Sequence, residues 1–294
     1  MPLPKFKYLA PKTWEEACAM LAQYKGKVRV MAGGTDLLIK MSLGAAAPEY
    51  VIGLKNIPGL DYIKYDQTKG LTLGPLALLA DVADHPMIKE KYDAVAHAAS
   101  VTATVQVRNM GTVAGNICNA APSADNIPAL MALDAEVTLA RLGGKRTVKL
   151  DDFFQGPGKT VMEPEELLEK ITVPAPLPGS GTAYLKISPR SKVDIAAVGV
   201  GAHLVMAGDV CQMARIVLGA VAPVPMRARK AESLLTGQQL TTDLINQTAA
   251  QAADEARPIT DVRTTAEYRK TMVYVLTRRA INACAQKALP PCAK

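Results

Sequence analysis

The sequence predicts an α+β chain built in three modules, and three observations carry that expectation. A short β-branched strand runs into a glycine pair and then a helix start in "KVRVMAGGTDLLIKMS". A strand-rich middle is punctuated by Gly, Pro and Asp, and a last stretch of apolar strands gives way to two long helical segments. The boundaries fall at 1–56, 57–175 and 176–294.

Taken in order, Thr13-Trp14-Glu15-Glu16 reads as a capping box, with Ala17, Met20, Leu21 and Tyr24 following at helical spacing. After Gly26 comes the strand "KVRVMA", then the glycine pair, then "TDLLIKMS" as a helix. The second module opens near Ile57, with "GLTLG" as a strand and "LLADVADHP" as a short helix ended by its proline. One helix is expected through "YDAVAHAASVTATVQV", and "ALDAEVTLA" reads as a buried strand. In "ITVPAPLPGSGTAYLK" prolines and glycines break all periodicity, which marks the cleanest boundary. Beyond it, "AYLKIS" and "DIAAVGVGAHLVMAGDVCQMARIVLGAVAP" form successive antiparallel strands around a Gly208-Asp209 turn. Helices are expected over 242–256 and 265–287, and no internal repeat is visible.

With 49% hydrophobic and 21% charged residues in 294, the composition is that of an ordinary globular protein and excludes disorder. No window offers the roughly 18 apolar residues of a membrane span, and the N-terminus has no signal-like apolar run, so a cytoplasmic location is expected. Cys18, Cys118, Cys211, Cys284 and Cys292 are scattered without a C-x-x-C pair, and there are only 3 histidines. A metal or iron–sulfur site made by this chain alone is therefore not expected, nor a disulfide framework. The net charge of +7 sits in the last two fifths, where Lys and Arg outnumber Asp and Glu. A surface for a nucleotide, an acidic partner or nucleic acid is one reading and a solvated basic face the other. The lack of interleaved aromatics speaks against nucleic acid.

Chemistry enters through the glycines. Backbone N–H groups free of Cβ can converge on an anion, and a following helix N-terminus adds partial positive charge. "AGGTD" has this form without matching either the G-x-G-x-x-G or the P-loop pattern. By itself it is as readily a tight turn. A second cluster, Gly111-Thr112-Val113-Ala114-Gly115-Asn116, makes a two-sided diphosphate site possible, with Thr35, Thr112 and Asn116 as side-chain donors. Asp125 in "APSAD" either accepts from a ribose hydroxyl or caps the helix "NIPALMALD". His85, His97 and His203 read as structural, and Cys118 as a small buried thiol. With no nucleophile and base in sight, any chemistry belongs to a cofactor.

The motifs "FKYLAPKTWEEACAML", "AGGTDLL", "QVRNMGTVAGNICNAAPSADNIPALMALDAEVTL" and "YLKISPRSKVDIAAVGVGA" resemble, in this order, the FAD-binding medium subunit of the molybdenum hydroxylases, the carbon monoxide dehydrogenase and xanthine dehydrogenase type. The resemblance covers nearly the whole chain. It implies a two-lobed FAD domain of the vanillyl-alcohol-oxidase type and a C-terminal domain with a three-stranded antiparallel sheet and helices. It implies an FAD diphosphate held by Ala32, Gly33, Gly34, Thr35 and Asp36 on one side, with Val30, Met31 and Leu37 beside them in the cofactor site. On the other stand Gly111, Thr112, Ala114, Gly115 and Asn116, with Thr102, Asn119, Asp125, Leu168 and Lys186 lining the site. Arg190 and Asp194 fall in a loop near the flavin ring, and Lys186 and Arg190 become candidates for tuning the flavin. The chain departs from the family in having Ala114 where a glycine is usual and Ala121 where a serine is common. Five scattered cysteines set it apart from the branch with a cluster-binding insert in this subunit.

By the same resemblance the chain is an electron-transfer subunit. It receives electrons from the [2Fe–2S] clusters of a small partner subunit, fed by a large molybdopterin subunit, in a dimer of heterotrimers. Its acceptor is NAD, a quinone, ferredoxin or oxygen. Two other readings stay open: a free-standing FAD-dependent oxidase of the same fold, and a non-catalytic scaffold whose site, altered at Ala114, no longer holds FAD.

Overall fold

The computed structural model describes residues 3–190 and 193–288. The first lobe contains β1 (Lys7–Leu9), α1 (Trp14–Gln23), β2 (Val28–Met31), α2 (Leu37–Ser42) and β3 (Tyr50–Gly53). Its sheet runs β1-β3-β2 with both pairings parallel, so the glycine pair leaves the carboxyl end of β2, the edge of a parallel sheet where ligands are held. The expected cap is half formed: Thr13 Oγ1 accepts from Glu16 N–H at 3.1 Å, while the Glu16 carboxylate accepts from Lys12 N–H, one residue before the cap. Ala17, Cys18 and Leu21 of α1 pack on Leu9, Val28 and Ile52.

The second lobe contains β4 (Ile63–Asp66), β5 (Gly70–Leu73), α3 (Leu79–Asp84), α4 (Pro86–Lys91), α5 (Asp93–Ser100), α6 (Val105–Arg108), α7 (Val113–Asn119) and α8 (Asn126–Ala132). Then follow β6 (Glu136–Arg141), β7 (Gly144–Lys149), β8 (Phe154–Gly156), β9 (Lys159–Thr160) and β10 (Leu167–Val173). Five strands form an antiparallel sheet in the order β4-β5-β10-β6-β7. Neighbouring side chains of β10 serve different cores: Leu167 packs in the first lobe and Leu168 in the second. Two expectations need correction. Pro86 ends α3 yet opens α4, because proline suits the first turn of a helix. The single helix expected through Val107 is two, broken between Ser100 and Val105, where Ala103 takes a left-handed φ of 47°.

The third region contains β11 (Ser180–Ile187), β12 (Val198–Ala207), β13 (Val210–Gly219), β14 (Met226–Arg227), α9 (Arg229–Leu235), β15 (Gln238–Gln239), α10 (Thr242–Glu255) and α11 (Ala266–Ala288). The body of its sheet is the three expected antiparallel strands, with the turn at Gly208-Asp209, and β14 and β15 add two residues each to β13. Along β12, Val198, Val200, Ala202 and Leu204 face the core that α11 closes with Val273, Leu276, Ala280, Ile281 and Cys284. Each large side chain buried there contributes about 2 kcal/mol. The other face of β12 carries Gly199 and Gly201, and α8 lies so close that a Cβ at 201 would stand 2.2 Å from the Pro128 carbonyl oxygen. His203, on that same face, is buried, which pushes its pKa down to about 4. No described helix is long and apolar enough to cross a membrane.

Candidate functional site

The two glycine segments meet. A Cβ on Gly33 would lie 2.0 Å from the carbonyl oxygen of Met110 and 2.9 Å from Cα of Gly111, so the first loop rests directly on the backbone of the second. Gly34 is needed for a different reason, a left-handed φ of 77° that turns the chain from β2 into α2. Thr35 Oγ1 completes the contact on the Gly111 side. Among the described residues, the successive backbone N–H groups of Gly33, Gly34, Thr35, Asp36 and Leu37 donate to nothing in the protein; the first return bond of the turn is Leu38 N–H to Gly34 O at 3.0 Å. Such a run at a helix N-terminus is an anion cradle. Asp36, in the N-cap position, makes no side-chain cap bond. Val30 and Met31 form the strand end that leads in.

α7 presents the opposing surface. Thr112 caps it by accepting from Gly115 N–H at 2.9 Å, and Val113 N–H is taken by Ala77 O at 3.1 Å. The Ala114 N–H is left without a protein partner among the described residues. Ala114 is 4% exposed and packs in the central core with Val113 and Ile117, so the departure from glycine points away from the cradle. Gly115, Asn116 and Asn119 occupy the half-exposed side. Lys40 Nζ of α2 donates to Asn119 Oδ1 at 2.5 Å and ties the ends of the two helices together. Leu168 lies in the core with Ala114 rather than in either loop. Cys118 is a thiol driven up to about 12 by burial, with Met162 Sδ at 3.7 Å.

Beneath α7, Thr102 and Asn116 are joined through Asn126, whose Nδ2 donates to both at 3.2 and 3.1 Å. Arg108 Nη1 donates to the carbonyls of Thr102 and Ala103 and holds the left-handed turn between α5 and α6. Asp125 does not cap α8; it is 6% exposed, accepting from Tyr184 Oη at 2.7 Å and Lys186 Nζ at 3.0 Å. Burial raises its pKa against the pull of Lys186 and Tyr184. The remaining protons of Lys186 go to Val101 O at 3.0 Å and Asp194 O at 3.2 Å, which leaves the ammonium no free donor. Alternate residues of β11 thus carry the seam between the second lobe and the third region, since Thr182 also donates to Asp93 Oδ1 at 2.6 Å. Arg190 and Asp194 form an exposed clip, with Asp194 lowered to about 2 by Arg190 and by the N–H groups of Ile195 and Arg190.

Residues 4–176 match the family described as the FAD binding domain in molybdopterin dehydrogenase, and residues 183–284 match the CO dehydrogenase flavoprotein C-terminal domain. The chain belongs to the FAD-binding medium subunits of the molybdenum hydroxylases. It is 34% identical to the carbon monoxide dehydrogenase medium chain of Hydrogenophaga pseudoflava, over 95% of this chain and 97% of that one. It is 32% identical to the nicotinate dehydrogenase FAD-subunit of Eubacterium barkeri, over 91% of this chain and 92% of that one. A chain of the solved carbon monoxide dehydrogenase from H. pseudoflava superposes with a TM-score of 0.94 at 34% identity, covering 99% of this chain and 100% of that one. A chain of quinoline 2-oxidoreductase from Pseudomonas putida 86 superposes with a TM-score of 0.92 at 27% identity, again over 99% and 100%.

As a member of this family the chain is an FAD subunit of oxidoreductases, and the cradle suits that cofactor. The free N–H groups of 33–37, the Ala114 N–H at the positive end of α7 and the outward amide of Asn116 are all donors, as a diphosphate requires. Sequence reasoning missed Asn126, Tyr184, Thr182, Asp93 and Lys40. Tyr184 and Thr182 carry a signal in hindsight, as polar residues at every second position of an otherwise apolar strand. Asn126 has none, since it looks like any first-turn polar residue of α8.

Proposed function

We propose that the chain is the flavin relay of a cytoplasmic molybdenum hydroxylase assembled as a dimer of heterotrimers with a small [2Fe–2S] subunit and a large molybdopterin subunit. The observation that carries the reading is the contact of Gly33 with the Met110-Gly111 backbone, which joins the unpaired run of donors at 33–37 to the segment that carries the free Ala114 N–H. Bound FAD would supply a centre able to take electrons singly from the iron–sulfur side and to pass them on in pairs to NAD, a quinone or oxygen, or singly to ferredoxin.

The chain's own residues hold and orient. The N–H groups from Gly33 to Leu37 and that of Ala114 bind the diphosphate; Thr35, Thr112 and Asn116 add side-chain donors. Lys186 acts through position rather than as a bare cation, because its charge is matched by Asp125 and its protons fix Val101 and Asp194. Arg190 is likewise matched by Asp194. The burial of the Ala114 methyl in the core speaks against the scaffold reading, whose ground is an obstruction at that position.

Relatives of 32–34% identity are named for carbon monoxide, glyceraldehyde and nicotinate, which fits a subunit that never meets the substrate. The test is to isolate the chain from its host and measure flavin, iron and molybdenum. Flavin in the purified chain, with co-purifying iron–sulfur and molybdenum subunits, is the expected result; catalytic turnover by the isolated chain alone would contradict it.

A further inference from the structure

Asn126 is 1% exposed, and its Oδ1 is buried without a partner. Both protons of its Nδ2 are used, on Thr102 Oγ1 and Asn116 Oδ1. The Thr102 hydroxyl gives its own proton to Ala98 O at 2.8 Å, so toward Asn126 it can only accept. Reversing the Asn126 amide would set its oxygen against that of Asn116. It would also strand an NH2 group in the interior, a costlier orphan than a carbonyl. The orientation of Asn126 is therefore fixed, and with it that of Asn116. With Oδ1 of Asn116 held inward, its Nδ2 faces the other way, where among the described residues it donates to nothing.

We propose that Asn126 is a positioning residue for the cofactor site: it locks the Asn116 amide so that two N–H donors, and never the carbonyl, face the ligand. This rests on the FAD reading above. An unrestrained amide at 116 would offer an acceptor as readily as donors, and an acceptor facing phosphate or flavin carbonyl oxygens repels them. The unpartnered oxygen of Asn126 is what the fold tolerates to keep both donors of that residue directed at Thr102 and Asn116.

The test is a double-mutant cycle on the full-length chain stripped of flavin, with FAD affinity read by fluorescence titration and the fold of each apo form by its melting temperature. Asn126→Leu is expected to raise Kd about tenfold, as the loss of one oriented hydrogen bond to a charged group would. In the Asn116→Ala background the same change is expected to cost nothing. Asn116→Asp, which keeps the bond to Asn126 but turns an acceptor outward, keeps the test open if the leucine variant does not fold. It is expected to bind FAD more weakly than Asn116→Ala. Equal costs of Asn126→Leu in both backgrounds, or wild-type affinity in Asn116→Asp, would overturn the inference. A wild-type chain that fails to bind FAD would instead remove the reading beneath it.

Discussion

Gly33 and Met110 stand in backbone contact: a Cβ at 33 would lie 2.0 Å from the Met110 carbonyl oxygen. The bareness of the first glycine therefore serves the meeting of two loops, and the cradle exists because they touch. Gly33→Ala is predicted to push the segments apart, destabilising the chain by about 1–3 kcal/mol as overpacking does and abolishing FAD retention. Gly34→Ala meets the side chains of Met31 and Leu38 rather than backbone and strains φ, so a smaller loss of about 1 kcal/mol is expected. Thermal melts with flavin content measured on the same samples separate the two.

Ala114 offers the reverse case. Its N–H faces the cradle and its methyl the core, so Ala114→Gly is predicted to leave FAD affinity within about twofold while lowering stability by roughly 1 kcal/mol for glycine in a helix. Tighter FAD binding in this variant would show that the methyl does obstruct the site.

The seam between the second lobe and the third region depends on a buried ion pair. Lys186→Met leaves the Asp125 carboxylate buried opposite Tyr184 alone, and a loss of about 3–5 kcal/mol is predicted at neutral pH. Burial already raises the pKa of Asp125, and the substitution removes the largest opposing influence. A raised pKa stabilises below the unfolded value and is lost as pH rises through the folded one, so the variant should recover relative to wild type as pH falls toward the carboxylate range. Urea melts across pH 4.5–7.5 measure it, and a pH-independent difference would count against an uncompensated Asp125.

The Arg190–Asp194 clip has the opposite sign. With Asp194 lowered to about 2, its contribution is present above the ordinary carboxylate pKa of about 3.9 and is lost only as pH falls through the lowered value. Limited proteolysis is predicted to nick the loop faster in Arg190→Ala than in wild type at every pH above about 4.

The sequence made the site legible wherever spacing encodes function. Thr13, the strand before Gly33, the turn at Gly208 and the helices over 242–256 and 265–287 all follow from caps, β-branching and periodicity, which are local. The break between α5 and α6 was not legible, because the left-handed Ala103 is held by the Arg108 side chain reaching back five residues, and neither an alanine nor an arginine at that spacing signals a turn. Nor was the true reason for Gly33, since backbone contact between segments so far apart leaves no trace in either. Asp125 shows the same limit. Its position before α8 suggests a cap, and only the fold reveals that Tyr184 and Lys186 draw the carboxylate elsewhere.

The most direct test of the central claim is a competition titration on the flavin-free chain with FAD, ADP and riboflavin. A cradle of donors built for a diphosphate predicts that ADP displaces FAD and that riboflavin binds at least about a hundredfold more weakly than FAD, two charge-assisted contacts' worth. Riboflavin binding as tightly as FAD, with ADP unable to compete, would contradict it.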